Sequence, residues 1–492
     1  MAAILRSKWS WAGLAIAGAI LLTGVFLRPY WRDEYWALYF SAPHLSLHDA
    51  VTQRMVRDVH PPLYFILQHY WRLGIEAEWW ARLFNVLTLV LGAFGVWRLG
   101  RNRPQETLLF LLLCGGSYWV IYYTVELRMY LMLFVLCAMS VIVVRNALEE
   151  GARVLPHAAL FALIGAAAGA TQFFGALWIA VTGAWTGLAL LRAGRIDGFF
   201  AWGVATAVAL APAVGWIAVV GPQNNPGAEA GVQSFASAFA YAANQFLRGL
   251  IVKTLGSNLA AAGVLVVMAA ALVRRRSAFD VVMALSFLSA VVIAFVLHFT
   301  FVPALIKERA FIVVMPAVIY LVVRAIGLAE EGGAAPRLRL AIPIMAAISP
   351  VLFLGEYTKD REHWGEARAL IREAGQACAG AQVVAFNRVS EQAADFHPYV
   401  TRMALRDAAA GGSDLEIIDA DDIIAGHAAR PPPSSCPVKA VAIGLGRGDA
   451  ALQAEARARL AAAGVPLDRL AERMFGGGRT VVYEAIDSAS YP

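Results

Sequence analysis

The sequence predicts an α-helical polytopic membrane protein carrying a soluble α/β domain at its C-terminal end, and three observations lead there. Of its 492 residues 59% are hydrophobic and only 15% charged, with a mean hydropathy of +0.60. Soluble chains carry about a quarter of charged residues. Apolar runs near the length of about twenty residues that crosses a hydrocarbon core recur through residues 1–356. Residues 357–492 are mixed and charge-rich instead. The expected division is therefore a membrane body, 1–356, with its active loop at 28–78, followed by an extracytoplasmic α/β domain, 357–492.

The net charge of +6 is spread over short loops and not gathered in a stripe, which argues against a nucleic-acid partner. Cys114 and Cys137 lie in apolar runs and read as small core residues, whereas Cys378 and Cys436 fall in the soluble part, where an oxidising compartment would let them pair. Neither pair has metal-ligand spacing, and no His/Cys cluster argues for a structural ion.

The first apolar run, Trp9 to Leu27, follows Arg6 and Lys8, and Leu27-Arg28-Pro29-Tyr30 offers no small-residue cleavage site, so it reads as a retained span. Short cytoplasmic loops collect Lys and Arg. Placing Arg6/Lys8, Arg98/Arg101/Arg103, Arg145/Arg153, Arg192/Arg195, Arg274/Arg275/Arg276 and Arg337/Arg339 on one side yields spans near 9–27, 79–97, 106–122, 129–145, 157–173, 175–191, 199–219, 257–273, 279–298, 310–326 and 340–356. These make roughly eleven crossings by the length rule, an odd number that puts the tail opposite the N-terminus. The outer side then receives loop 28–78, the turn around Glu126, loop 220–256 and turn 299–309. Arg28, Arg32, Arg54, Arg57, Arg128, Lys307 and Arg309 lie there against the charge bias, and an anion at that face would account for them.

Within the first outer loop, Ser46 to Met55 reads as a short amphipathic helix, and Pro61-Pro62 suits the first turn of another, Leu63 to Leu73. Its Tyr64, Phe65, Tyr70 and Trp71 are residue types favoured at headgroup level. In the tail, a helix over Glu362–Ala377, strands at 382–386, 416–418, 439–443 and 480–483, and a helix over Ala450–Ala463 make the α/β pattern. The Gly444–Gly448 and Gly476–Gly478 runs lack the full nucleotide-binding spacing and read as turns.

Chemistry concentrates at the outer ends of the spans. Asp33-Glu34, flanked by Trp31, Tyr35 and Trp36, reads as a general base with its neighbour, or as two solvated loop acids. Asp58-Val59-His60-Pro61-Pro62 reads as a ligand-binding run or as a helix start with Asp58 at the cap. Glu126 and Arg128 stand two apart at a span end and do not face each other on a helix, so each needs another partner. Lys307-Glu308-Arg309 reads as an anion site or as snorkelling anchors.

Taken together, Asp33-Glu34, Asp58 to Tyr64, Tyr123 to Tyr130, Thr171-Gln172-Phe173-Phe174, and Glu308-Arg309 ahead of Pro316-Ala317 resemble the bacterial family 39 glycosyltransferases. These are relatives of the protein mannosyltransferases and of the lipid A aminoarabinose transferase, and share the multispanning GT-C fold. The likeness covers most of residues 1–326. It implies an inverting transfer of a sugar from a polyprenyl-phosphate carrier to a hydroxyl of a lipid, glycan or protein, at the outer face of the bacterial inner membrane, with the tail periplasmic. By motif position Asp33 would be the base. Glu34 and Asp58 would shape the acceptor and sugar sites, and His60, Arg128, Lys307 and Arg309 would lie on the phosphate side, with Tyr64, Glu126 and Tyr130 completing the substrate-binding set. Trp36 stands where the aminoarabinose transferases carry an arginine three positions after the first acid, so the phosphate contact is expected from other residues. No cofactor beyond the lipid-linked donor is expected, and a divalent metal is left open though no residue pattern indicates one. The competing class is a transporter or lipid-linked sugar flippase, for which paired half-sequences with broken spans and midplane charges are the mark; here the charges gather at span ends.

Overall fold

The computed structural model describes residues 18–220 apart from 20, 29, 59, 76 and 150, then 240, 277–300, 308–331, 369–372, 382–387, 416–430, 438–443, 450–475 and 480–485. The chain falls into two compact units, one formed by Met1–Phe26 with Ser41–Tyr357, the other by Leu27–Phe40 with Thr358–Pro492.

The first unit is a helical bundle. Among the described residues six helices are long and apolar enough to cross a membrane, and a bent pair makes a seventh crossing if read as one span. This is a multispanning membrane protein. After the helical turns Leu47–Asp49, Ala50–Arg54 and Met55–Arg57 come α2 (Leu63–Trp71), α3 (Glu78–Leu99), α4 (Pro104–Gly115), α5 (Tyr118–Thr124), α6 (Tyr130–Ala147), α7 (Val154–Thr171), α8 (Phe173–Arg192), α9 (Ile196–Val220), α10 (Ala278–Thr300) and α11 (Met315–Glu331), with a 3-10 segment Glu308–Val313 ahead of α11; α1 (Arg32–Phe40) belongs to the second unit. The expected spans 257–273 and 340–356 and most of 9–27 lie outside the described residues, as do Arg275, Cys378 and Cys436.

Two expectations about the spans change. The run 106–122 is not one rod: α4 and α5 bend by 61° where Gly115-Gly116 offers no side chain and Ser117 caps the next helix by accepting from the Val120 N–H. The expected span 310–326 begins as a 3-10 segment, so Arg309 stands on a tight turn before α11 and not on a helix face. In the outer loop, Pro62 is the N-cap of α2, and the prolines precede the helix instead of opening it.

The helices pack closely where small residues face each other. A Cβ on Gly175 would lie 2.5 Å from the Ala168 carbonyl oxygen, and one on Gly165 would lie 2.7 Å from the Ala209 Cβ, so α7, α8 and α9 approach at backbone distance. Trp178 donates its indole N–H to the Ser140 hydroxyl at 3.1 Å inside this packing. At the start of the bundle, Trp71 and Trp80 stack at 4.5 Å and each indole N–H donates to the other's carbonyl at 2.8 Å. That reciprocal clasp fixes α2 on α3 through rings that need both apolar contact and a polar partner.

In the second unit, five strands make one mixed sheet in the order β2-β1-β3-β5-β4, with β1 (Gln382–Asn387), β2 (Glu416–Asp419), β3 (Val438–Ile443), β4 (Leu470–Phe475) and β5 (Thr480–Ala485). β1 runs parallel to β2 and β3, whereas β5 runs antiparallel to β3 and β4. Val384 and Phe386, Ala440 and Ala442, and Val481 and Tyr483 occupy one face by the two-residue period, and Ala456 and Leu460 of α12 (Ala450–Ala462) join them in one core. The strand β4 was not expected from its sequence.

Candidate active site

The residues singled out at the span ends divide between the two units. Asp33 and Glu34 lie in the first turn of α1, Glu34 fully buried and Asp33 half-buried. Lys307 lies outside the described residues. The rest stand in the bundle, at the end where α6 begins.

There the chain leaves α5 at Thr124 and turns through Val125–Met129 before α6 starts at Tyr130. Glu126 and Arg128 sit on this non-helical corner, where the Arg128 N–H donates to the Glu126 carbonyl at 2.8 Å. The corner is pinned from inside by Asn85, which was not anticipated. Its side-chain amide donates to the Tyr123 carbonyl at 3.1 Å and the Glu126 carbonyl at 2.6 Å, and its oxygen accepts from the Tyr64 hydroxyl at 3.0 Å. Gln68 adds bonds to the Tyr64 oxygen at 3.3 Å and the Ala81 carbonyl at 3.0 Å. Tyr64, Gln68 and Asn85 are all fully buried, so the network is unscreened and each bond restrains the corner. The sequence signal for Asn85 was a lone amide in an apolar span, a residue type that is costly there without a partner.

On this fixed corner two guanidinium groups meet one ring. Arg128 lies over Tyr130 with 6.0 Å from Cζ to the ring centroid, and Arg309, from the 3-10 segment, lies over the same ring at 5.6 Å. Glu126 is 2% exposed and Arg128 6%, so these two charges sit largely out of water, while Arg309 is half-buried. Tyr123 packs on Tyr130 at 4.8 Å, and Glu126 and Arg309 both act electrostatically on its phenol. Cations over an aromatic face are stabilised by the ring, more so when desolvated, and guanidinium groups are the side chains best shaped to bind a phosphate or carboxylate.

Asp58 and His60 precede α2. Asp58 is half-buried and accepts the His60 N–H at 3.2 Å, a local turn, and so does not cap α2 as its position in the sequence suggested. Thus Tyr64, Glu126, Arg128, Tyr130 and Arg309 are gathered around one corner. No group of three or more His, Cys, Asp or Glu that would hold a metal occurs among the described residues.

The chain has the fold of ArnT from Cupriavidus metallidurans: it matches the structure bound to undecaprenyl phosphate with a TM-score of 0.56 and 14% identity over 99% of this chain and 100% of that one. The apo structure of the same protein matches with a TM-score of 0.57 and 14% identity over 98% and 99%. No family model matches the sequence, and no curated protein sequence does.

Proposed function

We propose that this protein is an inverting glycosyltransferase that moves a sugar from a polyprenyl-phosphate carrier to an acceptor hydroxyl. The observation that supports it best is the pair Arg128 and Arg309 over the Tyr130 ring, Arg128 buried and Arg309 half-buried, at one end of a membrane bundle. A water-soluble anion would not require a site set among spans, whereas a phosphate borne on a lipid reaches it from the bilayer. The shared fold with ArnT bound to undecaprenyl phosphate points to the same carrier class.

In this reading the base, Asp33, is taken from the sequence motif and the phosphate side from the arginines. The acceptor hydroxyl oxygen attacks the anomeric carbon, the bond from that carbon to the phosphate oxygen breaks, and the hydroxyl proton passes to the Asp33 carboxylate. A sugar hydroxyl is a poor nucleophile, and a positioned base contributes about 10²–10⁴-fold. The departing phosphate gains negative charge as the bond breaks, so Arg128 and Arg309 stabilise the transition state more than the ground state. Asp58, His60 and Glu34 complete the substrate side in this reading, with the acceptor a lipid, glycan or protein on the outer face of the inner membrane.

Asp33→Asn keeps shape and removes basicity. Turnover, measured with lipid-linked donor extracted from host membranes, should fall at least about a hundredfold while donor lipid still copurifies with the protein. Near-normal turnover in Asp33→Asn together with its loss in Asp58→Asn would move the base to Asp58.

A further inference from the structure

We infer that Gln172 is a sugar-hydroxyl ligand in the donor site, an assignment that rests on the glycosyltransferase reading and adds to it. Gln172 is the only residue between α7 and α8, with extended backbone, and is 4% exposed. Its backbone is fully used: the N–H donates to the Ala168 carbonyl at 3.1 Å, and its carbonyl accepts from Gly175 at 2.9 Å. Its side chain is not. Oε1 is buried and has no hydrogen-bond partner among the described residues, and the carboxamide does not cap α8. A buried acceptor left without a donor destabilises the protein, so natural chains seldom keep one unless something else supplies the donor.

The position says what that is. A Cβ on Gly175, one turn into α8, would lie 2.7 Å from Cδ1 of Leu133, one turn into α6. The N-terminal ends of α6 and α8 are therefore neighbours, which puts Gln172 at the level of Tyr130 and the guanidinium of Arg309 above it. The tight contact at Gly175 and the Thr171 hydroxyl bond to the Ala167 carbonyl at 2.7 Å hold the hairpin, so the amide is presented from a rigid support.

The chemistry of the open group selects the ligand. An amide oxygen accepts and cannot bind phosphate, which at neutral pH offers acceptors almost throughout. It needs an O–H or N–H donor. At the N-terminus of a twenty-residue helix it stands beside backbone N–H groups that the helix itself leaves unused. A sugar hydroxyl answers both, donating its proton to Oε1 and accepting from an N–H, and it would lie next to a phosphate held by the arginines. Gln172 thus reads the sugar while Arg128 and Arg309 read the phosphate.

The test compares the full chain with Gln172→Met, a substitution of similar volume that removes the acceptor. Each is purified from the same bacterial membranes, and the copurifying lipids are weighed by mass spectrometry for bare and sugar-bearing polyprenyl phosphate. The ratio of sugar-bearing to bare carrier should fall at least about tenfold in Gln172→Met, with bare undecaprenyl phosphate bound as tightly as before. Stripped of lipid, the variant should unfold at a higher temperature than the parent, because an unpaired acceptor has been removed. An unchanged ratio overturns the assignment, as does a lower unfolding temperature, which would make the amide a structural group. Absence of any polyprenyl carrier from the parent protein would instead sink the glycosyltransferase reading itself, and this inference with it.

Discussion

The two ends of the bundle hold their arginines differently. Where α6 ends, Arg103 pairs with Glu149 at 2.6 Å, Arg145 lies 3.9 Å from Glu106, and Arg324 meets Asp280 at 3.4 Å. Asp280 also accepts from the Ser277 N–H and hydroxyl at 2.9 and 2.7 Å, capping α10. Arg195 donates to the carbonyls of Ala147 and Glu149 and to that of Ala152, closing the loop after α6. Each of these acids has a cation of the same protein beside it. Where α6 begins, two cations share one ring and a buried amide oxygen has no donor. Both ends keep buried polar atoms without a hydrogen bond, Glu106 Oε1 and Arg145 Nε at the first and Gln172 Oε1 at the second, so what separates them is that the first is closed by ion pairs whereas the second gathers two arginines on one ring.

The sharpest way to break this contrast is to cut a pair at the closed end. Asp280→Ala strands Arg324 and removes a helix cap, so it should lower stability by about 3–5 kcal/mol, read from the unfolding transition in detergent. If it instead left stability intact and abolished transfer, the closed end would be a second functional site.

Arg309→Ala should do the reverse. Loss of charge stabilisation should cut turnover by about a hundredfold, whereas the unfolding temperature should hardly move. Arg309→Lys keeps the charge and loses the planar fork, and it should remain impaired. A fully active alanine variant would remove the residue from the site.

A smaller effect sharpens the role of the corner. Tyr64→Phe leaves the buried Asn85 oxygen without its donor and should destabilise by about 1–3 kcal/mol, with a modest fall in turnover as Val125–Met129 loosens. The smallest effect lies in the second unit, where Arg457 and Glu472 pair at 2.5 Å with Arg457 largely exposed. Arg457→Ala should change stability by under about 1 kcal/mol.

How much of this the residues announced depends on whether a pattern is local. The spans were legible because hydrocarbon demands long apolar runs, and the strands at 382, 416, 438 and 480 because their buried faces read as β-rich apolar stretches. β4 was hidden: Leu470-Ala-Glu-Arg-Met-Phe lies at the sheet edge, keeps much of its surface exposed, and carries charges that blur the alternation. The bend between α4 and α5 had a signal in Gly115-Gly116-Ser117, but a hydropathy window runs through it. Glu126, Arg128, Tyr130 and Arg309 stood out as charges and aromatics at span ends. That they surround one ring depends on contacts between elements far apart in the chain. Asn85 was harder still, since a polar residue in an apolar run declares only that it needs a partner, and Gln172 stood out only as part of the Thr171–Phe174 motif, with no role attached.

The account stands on the end that carries Arg128 and Arg309 being a phosphate site. The most direct measurement is a titration of the purified protein with undecaprenyl phosphate at several salt concentrations, comparing the parent with the Arg128→Ala/Arg309→Ala double variant. The account predicts saturable binding that the double substitution weakens at least about tenfold, the loss expected when charge-assisted bonds to phosphate are removed. Equal affinity in parent and double variant would contradict it.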